Sequence, residues 1–295
     1  MYIDILSRQF CEYSLSIRGY SPYTIRRYRT CVAFFSKASG IAKMEDITEE
    51  GVRAFFYSGR LDRNWSPNTF AIYHKSLLVF FRWCIKQGHL ERNPVADIEM
   101  PKKEKKLPRK LTKQDALRLL ELAYNYPYEY PFLRYRNHAI FSTFVYAGLR
   151  KQELLNLKLT DVDTDNLTIF VRQGKGNKDR IVPMSTALAQ ALKRYKDERK
   201  RLHKTCPEFF CSLRGNEPFT VNGLKKLIEQ LRISLRLHFS AHTLRHTFAT
   251  LMLEGGCDIF SLSKMMGHSD IKTTTIYLAA TADHLRLQMT KHPLN

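Results

Sequence analysis

The chain has 295 residues, 44% of them hydrophobic, and a formal net charge of +20. This length allows two ordinary domains, and this hydrophobic content is what packed cores require, so intrinsic disorder is not expected. The positive charge favours a polyanionic partner, for which nucleic acid and an anionic membrane surface are the candidates.

The sequence lacks the features of a membrane-spanning or secreted protein. It has no run of about 18 apolar residues, and residues 1–10 do not have the basic-then-apolar layout of a signal peptide. The six cysteines are scattered without a Cys-x-x-Cys pair, which favours reduced thiols and argues against a structural zinc site. We therefore expect a cytoplasmic protein that does not associate with membranes.

Residues 1–100 are predicted to form four helices. Apolar residues recur at three- and four-residue steps from Ile3 onward. Two of the helices begin alike, at Ser21-Pro22 and Ser66-Pro67, where serine offers an N-cap and proline suits the first helical position. The second, third and fourth helices are predicted at about 22–37, 47–57 and 67–87.

Residues 101–110 are predicted to link two domains, 1–100 and 111–295. The segment contains two prolines, has no apolar periodicity, and carries six basic residues against Glu104. Two interpretations remain open at this point. The segment is either a solvated linker that is simply rich in lysine or a strap that lies across DNA phosphates between the two domains.

From residue 111 onward the pattern is mixed. Thr112 is a candidate cap for a helix that extends to about residue 124, and Gly148 ends an apolar helix. Two segments rich in β-branched residues predict strands, joined by a basic glycine turn at 173–179. The strands are predicted at 167–172 and 180–184, and the helices at 137–147, 185–201, 220–236, 241–255 and 258–266. The predicted fold class is mainly α with a small β-sheet.

Six residues of the predicted domain 111–295 form a set suited to metal-free cleavage of a phosphodiester. Two arginines can neutralise the non-bridging oxygens of one phosphate, a tyrosine hydroxyl supplies a nucleophile, and lysine and histidine supply protons. An unperturbed tyrosine has a pKa of about 10, so it needs nearby cations or a base. The six residues are Arg150, Lys175, His242, Arg245, His268 and Tyr277.

Arg150 follows Gly148, at a point where one helix ends and another begins, and this is a favourable place for phosphate. Taken alone, Arg150 is better explained as a surface arginine paired with Glu153. We expect Glu153 to orient Arg150 or to cap the turn. Lys175 stands between two glycines at the tip of the predicted hairpin, where it could protonate a leaving oxygen or merely touch phosphate.

His242 and Arg245 lie three residues apart on a predicted helix, so they share a face. His246 is one step beyond, and we expect it to have a structural role. The pair His242 and His246 also has the spacing of zinc ligands, but Thr243 stands where a zincin has glutamate. We therefore expect neither a metal nor a cofactor.

Taken together, these segments resemble the phage integrase or tyrosine recombinase family, and most closely its compact Xer-type members. The resemblance covers nearly the whole chain and is carried by four segments in the expected order. It implies a helical, SAM-like core-binding domain at 1–100 and a mixed catalytic domain at 111–295, which together form a C-shaped clamp around DNA. The four segments are 147–154 (AGLRKQEL), 174–180 (GKGNKDR), 242–250 (HTLRHTFAT) and 266–268 (MGH), the last followed by Tyr277.

The resemblance also implies roles for individual residues. Tyr277 would attack a DNA phosphate, which gives a 3′-phosphotyrosyl link and a free 5′ hydroxyl. Arg150 and Arg245 would hold the non-bridging oxygens, and His268 would add a hydrogen bond. His242 would assist proton movement at Tyr277.

Lys175 would protonate the leaving oxygen in the same scheme. Because the phosphotyrosine ester stores the energy of the broken bond, rejoining would need no ATP and no metal. Two departures from the family pattern occur, Met266 where leucine is usual and Leu278-Ala279-Ala280 where Thr-His-Val is frequent. Neither departure changes a proposed catalytic group.

The implied partners are double-stranded DNA with specific recombination sites and further recombinase subunits. A homo-tetramer, or a hetero-tetramer with a related recombinase, would act on two sites at the nucleoid. The tail at 281–295 resembles a terminal helix that docks into a neighbouring subunit, although it could instead pack on its own domain. A topoisomerase of type IB and a non-catalytic DNA-binding protein remain the alternative functions.

Overall fold

A computed structural model of the chain describes residues 1–102, 107–172, 179–268 and 270–278. The chain divides into two compact units, Met1–Lys105 and Lys106–Asn295. The boundary between these units falls inside the segment predicted to be a linker. The overall composition is mainly helical with one small sheet, which confirms the predicted fold class.

The N-terminal unit contains the four predicted helices. The serine caps form as predicted: Ser21 Oγ accepts a hydrogen bond from the Thr24 backbone N–H at 3.3 Å, and Ser66 Oγ accepts one from Thr69 at 3.1 Å. These bonds satisfy backbone donors that the first helical turn leaves unpaired. The helices are α1 (Ile3–Ser16), α2 (Pro22–Ser39), α3 (Glu49–Leu61) and α4 (Pro67–Lys86).

Aromatic rings fill the core of the N-terminal unit. Phe35, Phe80 and Phe81 are completely buried, and Phe10 contacts Phe80 and Trp83 with ring centroids 5.5 and 5.7 Å apart. Burial of such rings is the main source of stability in a small helical unit. These aromatic residues therefore pack the core and do not offer exposed platforms for bases.

The C-terminal unit adds eight helices and three strands among the described residues. Thr112 caps α5 as predicted, since its hydroxyl accepts a hydrogen bond from the Asp115 N–H at 3.0 Å. The elements are α5 (Lys113–Asn125), α6 (Pro131–Ala147), α7 (Lys151–Leu155), β1 (Val162–Asp163), β2 (Thr168–Val171), β3 (Arg180–Pro183), α8 (Thr186–Arg201), α9 (Val221–Leu235), α10 (Ala241–Glu254), α11 (Ile259–Met266) and α12 (Lys272–Leu278).

Helix α6 begins six residues earlier than predicted. Pro131 occupies its first turn, where the missing N–H costs nothing. The charged residues before 137 interrupt the apolar pattern, but Arg136 is buried with its guanidinium 4.3 Å from the ring centroid of Phe219. A cation that packs on an aromatic ring thus extends the helix through what the sequence presents as a polar segment.

The three strands form one antiparallel sheet in the order β1, β2, β3. Ile169 pairs with Val182 and also with Val162, and all three side chains are buried on the face that meets the core. The short strand β1 was not predicted. Residues 173–178 of the predicted turn, including Lys175, lie outside the described residues.

Helix α6 forms the centre of the C-terminal unit, where it packs against α5, α8 and α10. Its contact with α10 determines where the predicted site residues lie, because Arg245 is on α10 and Arg150 follows the end of α6. Within the part of the chain that the structure describes, no helix has the length and apolar character needed to cross a membrane.

Candidate active site

Arg150 is fixed at the junction between α6 and α7. Gly148 ends α6 in the left-handed conformation with φ of 59°, and Arg150 is the N-cap of α7. The Arg150 backbone N–H donates to Glu153 Oε2 at 2.8 Å, and its Nη1 donates to Oε1 at 2.6 Å. Its Nη2 also donates to the carbonyl oxygen of Gly267 at 3.0 Å. Glu153 therefore both caps the turn and orients Arg150, as predicted.

Glu153 is the shared acceptor of a cluster of arginines. Arg180, the first residue of β3, donates from Nη1 and Nη2 to the two carboxylate oxygens, and Arg245 Nη1 lies 3.9 Å from Oε2. Burial alone would raise the pKa of Glu153, but the hydrogen bonds and charges of Arg180 and Arg150 outweigh it and lower the pKa to about 2. The carboxylate is therefore ionised at neutral pH.

Arg245 is buried, with 3% of the residue exposed, and its guanidinium is held mainly by backbone carbonyls. Nη1 donates to the Gly148 oxygen at 2.6 Å, and Nη2 donates to the Met266 oxygen at 2.5 Å. Burial and the charge of Arg150 lower the pKa of Arg245 to about 10, so the group keeps its charge at neutral pH. A fixed and poorly hydrated cation of this kind is well placed to meet an anion.

The hydrogen bonds of His268 define its tautomer. Its Nε2 lies 3.2 Å from Arg245 Nη2, which can only donate, so Nε2 accepts. Its Nδ1 must then carry the hydrogen, and it donates to Thr274 Oγ1 at 2.8 Å. His268 is thus neutral in this arrangement, and α12 holds its ring through Thr274.

Tyr277 lies on α12 with only 2% of the residue exposed. Its hydroxyl is 2.7 Å from Nδ1 of His246 on α10. The ring of His242 stands against that of His246, with centroids 4.1 Å apart and an interplanar angle of 67°. Burial raises the pKa of Tyr277, while the charges of Arg245 and Arg150 act in the opposite direction.

One cavity of about 410 Å³ joins these groups. Five of the six predicted site residues line it, and the sixth, Lys175, lies outside the described residues. A cavity with two guanidinium groups, imidazoles and a phenol in its wall can receive a phosphate and present it to a hydroxyl. The five residues are Arg150, His242, Arg245, His268 and Tyr277.

Both units match profiles of a single protein family. Residues 109–284 match the phage integrase family, and residues 6–89 match the phage integrase N-terminal SAM-like domain. The chain belongs to the phage integrase family. The chain is 33% identical to the tyrosine recombinase XerC of Oceanobacillus iheyensis over 304 residues, which cover 99% of this chain and 96% of XerC.

Two solved recombinase structures share the fold of this chain. It is 30% identical to the XerA recombinase, with a TM-score of 0.55 and coverage of 98% of both chains. The XerH recombinase bound to its difH substrate after cleavage gives a TM-score of 0.74 at 24% identity, covering 96% of this chain and 83% of XerH. At that identity, the likeness to XerH is one of fold.

Two residues of the integrase site were not recognised in the sequence. The sequence predicts no role for Arg180, although this residue stands in one of the family segments, and it predicts a structural role for His246. Arg180 contacts Glu153 across 27 residues and His246 contacts Tyr277 across 31, so no local pattern indicates either contact. The one available signal for His246 is its position directly after Arg245.

Among the described residues of the integrase, no group of three or more histidine, cysteine, aspartate or glutamate side chains is placed to hold a metal ion. His242 and His246 lie close together, but Nδ1 of His246 is hydrogen-bonded to the Tyr277 hydroxyl. The chemistry of this donor set is that of cations and imidazoles around a phenol.

Proposed function

We propose that this member of the phage integrase family is a site-specific DNA recombinase that cleaves and rejoins strands through a 3′-phosphotyrosyl intermediate. The observation that carries the proposal is the shared cavity, whose wall includes Tyr277 together with Arg150 and Arg245. The family relatives, which are named tyrosine recombinases, support the same reaction.

Phosphate would bind to Arg150 and Arg245, the two clamp arginines. Arg150 and Arg245 each use part of the guanidinium group on internal acceptors, so they are held in place before the ligand arrives. Three guanidinium groups, including that of Arg180, surround the single carboxylate of Glu153, and this cluster keeps a net positive charge. Such preorganised charge stabilises the extra negative charge that develops on phosphate in the transition state.

In the proposed reaction, the Tyr277 oxygen attacks the phosphorus and the 5′ oxygen leaves. His268 would add a hydrogen bond to a non-bridging oxygen once its Nε2 is protonated and no longer accepts from Arg245, and Lys175 would protonate the leaving group. The role of Lys175 rests on the family resemblance, because this residue lies outside the described part of the chain. Attack by a 5′ hydroxyl on the phosphotyrosine then rejoins the strand and needs neither ATP nor a metal.

The proposed partner is double-stranded DNA carrying specific recombination sites, in the cytoplasm at the nucleoid. XerH is a recombinase seen with its difH substrate, and the charge of +20 suits the same kind of ligand here. The units before and after segment 101–110 would serve as core-binding and catalytic domains. Strand exchange between two sites would require a tetramer, of one recombinase or of two related ones, with residues 281–295 as the proposed contact between subunits.

The other two functions are less favoured. A topoisomerase of type IB would share the chemistry, but the relatives that match nearly the whole chain are named recombinases. A non-catalytic DNA-binding protein would have no use for a phenol held beside two buried or partly buried arginines. Relaxation of arbitrary supercoiled DNA by low concentrations of the protein would favour the topoisomerase.

The decisive experiment is trapping of the covalent adduct. Genomic DNA of the host is incubated with the protein, adducts are isolated by denaturing extraction, and their ends are sequenced to map cleavage sites. A nicked suicide duplex with a mapped site is then tested against wild type and Tyr277→Phe. We expect an adduct at a 3′ phosphate that disappears in the variant, and an adduct of unchanged yield in Tyr277→Phe would refute Tyr277 as the nucleophile.

A further inference from the structure

We propose that His246 is the catalytic base of this reaction: it orients the Tyr277 hydroxyl and takes its proton as the oxygen attacks phosphorus. The inference deepens the proposed recombinase function and rests on it. The sequence had given proton movement at Tyr277 to His242 and a structural role to His246. In the structure, His246 on α10 is the histidine that contacts Tyr277 on α12, so we assign the proton transfer to His246 and not to His242.

The contact itself is direct. His246 Nδ1 lies 2.7 Å from the Tyr277 hydroxyl oxygen, within the range of a normal hydrogen bond to the reacting atom. His246 follows Arg245 on α10, so one rigid helix carries both a phosphate-binding cation and the partner of the nucleophile. The distance from phosphate to base is therefore largely set by the helix.

The three groups also form a path from the protein interior to solvent. Tyr277 is buried, His246 is half-buried, and His242 is exposed. The imidazole rings of His242 and His246 are 4.1 Å apart between centroids. The ring of His242 thus packs against His246 on the solvent side, which gives His242 a secondary part in holding the proposed base.

The charge state of His246 suits a proton acceptor. Burial, His242 and Arg245 lower the pKa of His246 to about 4, so the ring is neutral at neutral pH and its Nδ1 can accept the hydroxyl hydrogen. The groups that bear on this pair are His242 and Arg245 on α10, Tyr277 on α12, and Arg150 at the start of α7.

Before DNA binds, the shared proton is expected on Tyr277 and not on His246. Burial raises the pKa of Tyr277 although Arg245 and Arg150 act against it, and burial, His242 and Arg245 lower the pKa of His246, so the proton stays on the phenol. A bound phosphodiester brings a negative charge between the guanidinium groups and weakens the repulsion between Arg245 and a protonated His246. Substrate binding would therefore favour protonation of His246 and make it a stronger base only when there is phosphate to attack.

The proposed step is balanced as follows. The O–H bond of Tyr277 breaks and its proton moves to His246 Nδ1, while the phenolic oxygen forms a bond to phosphorus. The bond from phosphorus to the 5′ oxygen breaks, and that oxygen takes a proton from the general acid, for which Lys175 is the proposed residue. In the rejoining step, the imidazolium of His246 returns its proton to the departing phenolic oxygen.

The test compares single-turnover adduct formation on the mapped suicide duplex. We expect His246→Ala to lower the rate by about a hundredfold or more, which is the scale of general-base catalysis, and added imidazole to restore part of it. His246→Gln can still hold the hydroxyl but cannot take a proton, so we expect it to remain slow. His242→Ala should be less impaired than either His246 variant.

Two further measurements separate proton transfer from packing. Circular dichroism and DNA mobility-shift affinity show whether His246→Gln is folded and binds the duplex. A duplex with sulfur in place of the leaving 5′ oxygen needs no acid at the leaving group. The His246→Gln defect should persist on this duplex, whereas a Lys175→Ala defect should disappear.

Several outcomes would overturn the inference. A rate for His246→Gln within about threefold of wild type would leave His246 only a positioning role, and a faster rate in His246→Ala would make it a lock that restrains Tyr277. Recovery of the His246→Gln rate on the sulfur duplex would show that His246 acts on the leaving 5′ oxygen and not on Tyr277. Failure of the recombinase function itself is distinct, because wild type would then form no adduct at any site.

Discussion

Glu153 binds the guanidinium of Arg180 through two parallel hydrogen bonds, from Nη1 to Oε1 at 2.9 Å and from Nη2 to Oε2 at 2.8 Å. The side chains of both residues are largely buried, at 9% and 6% exposure. Since Arg180 is the first residue of β3 and Glu153 lies on α7, this pair ties the sheet to the turn that carries Arg150. The clamp arginines thus depend on a carboxylate that never needs to touch DNA.

Removal of that carboxylate charge should destabilise the C-terminal unit. Glu153→Gln keeps the shape of the side chain but leaves Arg150, Arg180 and Arg245 without their counter-charge, so we expect a loss of about 3–5 kcal/mol. Glu254→Gln is a matched control, because Glu254 pairs with Lys110 at 2.7 Å in a partly exposed position and should lose less than about 1 kcal/mol.

The two units allow a clean measurement of this effect. Both tryptophans, Trp65 and Trp83, lie in the N-terminal unit, so their fluorescence reports that unit, while circular dichroism reports the helices of both. In urea, Glu153→Gln should shift the dichroism transition with little change in fluorescence. Equal stability of the Glu153→Gln and Glu254→Gln proteins would contradict the structural role assigned to Glu153.

Acid should weaken the fold through the same residue. Glu153 has an ordinary pKa of 4.5 and a folded pKa of about 2, so its contribution is complete above the unfolded value and is lost as pH falls toward the folded one. Between about pH 5 and about pH 3, wild type should lose about 2 kcal/mol through Glu153 alone.

The comparison with Glu153→Gln isolates this contribution. Both proteins share every other titrating group, so the difference between their unfolding free energies should shrink as the pH falls through this window. Urea titrations at several pH values would measure it. A difference that is constant with pH would mean that the Glu153 carboxylate is not the group responsible.

Gly148→Ala should damage both the fold and the clamp. Gly148 has φ of +59°, and an added Cβ would lie 2.2 Å from Cδ1 of Phe248. Its carbonyl also accepts from Arg245. We expect a loss of about 3 kcal/mol from combined strain and overpacking, with a clear reduction in adduct formation.

Gly256→Ala separates these two causes. Gly256 also has a left-handed φ, of +87°, but an added Cβ would meet nothing within 4 Å. It should therefore lose only about 1 kcal/mol from backbone strain and keep its cleavage rate. Similar unfolding curves for Gly148→Ala and Gly256→Ala would show that contact with Phe248 is unimportant.

Thr274→Val should slow cleavage by releasing His268. The Thr274 hydroxyl is the acceptor for the His268 Nδ1–H, and valine has the same shape without that oxygen. Leaving this partly buried N–H without an acceptor should cost about 1 kcal/mol, and we expect about a tenfold slower adduct formation. Thr143→Val removes a buried hydroxyl that bonds to Ala139 in α6 and should leave the rate unchanged; equal rates for both variants would remove Thr274 from the site.

Local chemistry explains which elements were predictable. The helices that begin at serine or threonine caps, such as those after Ser21, Ser66 and Thr112, were predicted close to their observed ends because cap and apolar period agree. The predicted start of α6 was wrong because Arg136 is buried against Phe219, a residue far away in the sequence. The two-residue strand β1 is too short to produce an alternating pattern.

In the candidate site, too, some features follow from the local sequence and others from packing between distant segments. The positions of Arg150 and Arg245 follow from a glycine-ended helix and from a histidine and arginine three residues apart, both of which are readable in the sequence. The carboxylate that joins Arg150 to Arg180 and the histidine that meets Tyr277 arise from packing between separate elements. Chemical reasoning on the sequence could name the reaction, but not which imidazole lies beside the phenol.

The clamp arginines are secured largely by main-chain oxygens, those of Gly148, Met266 and Gly267. Every amino acid carries that oxygen, so methionine at 266 supplies the same acceptor as the leucine usual in the family. Position 266 can therefore exchange leucine for methionine without disturbing the cations, provided the packing of this buried side chain and the path of the backbone are kept. Gly267 and Glu153 have no such freedom, because an added Cβ at Gly267 would lie 2.9 Å from Cδ of Arg180 and the Glu153 carboxylate is bonded to both Arg150 and Arg180.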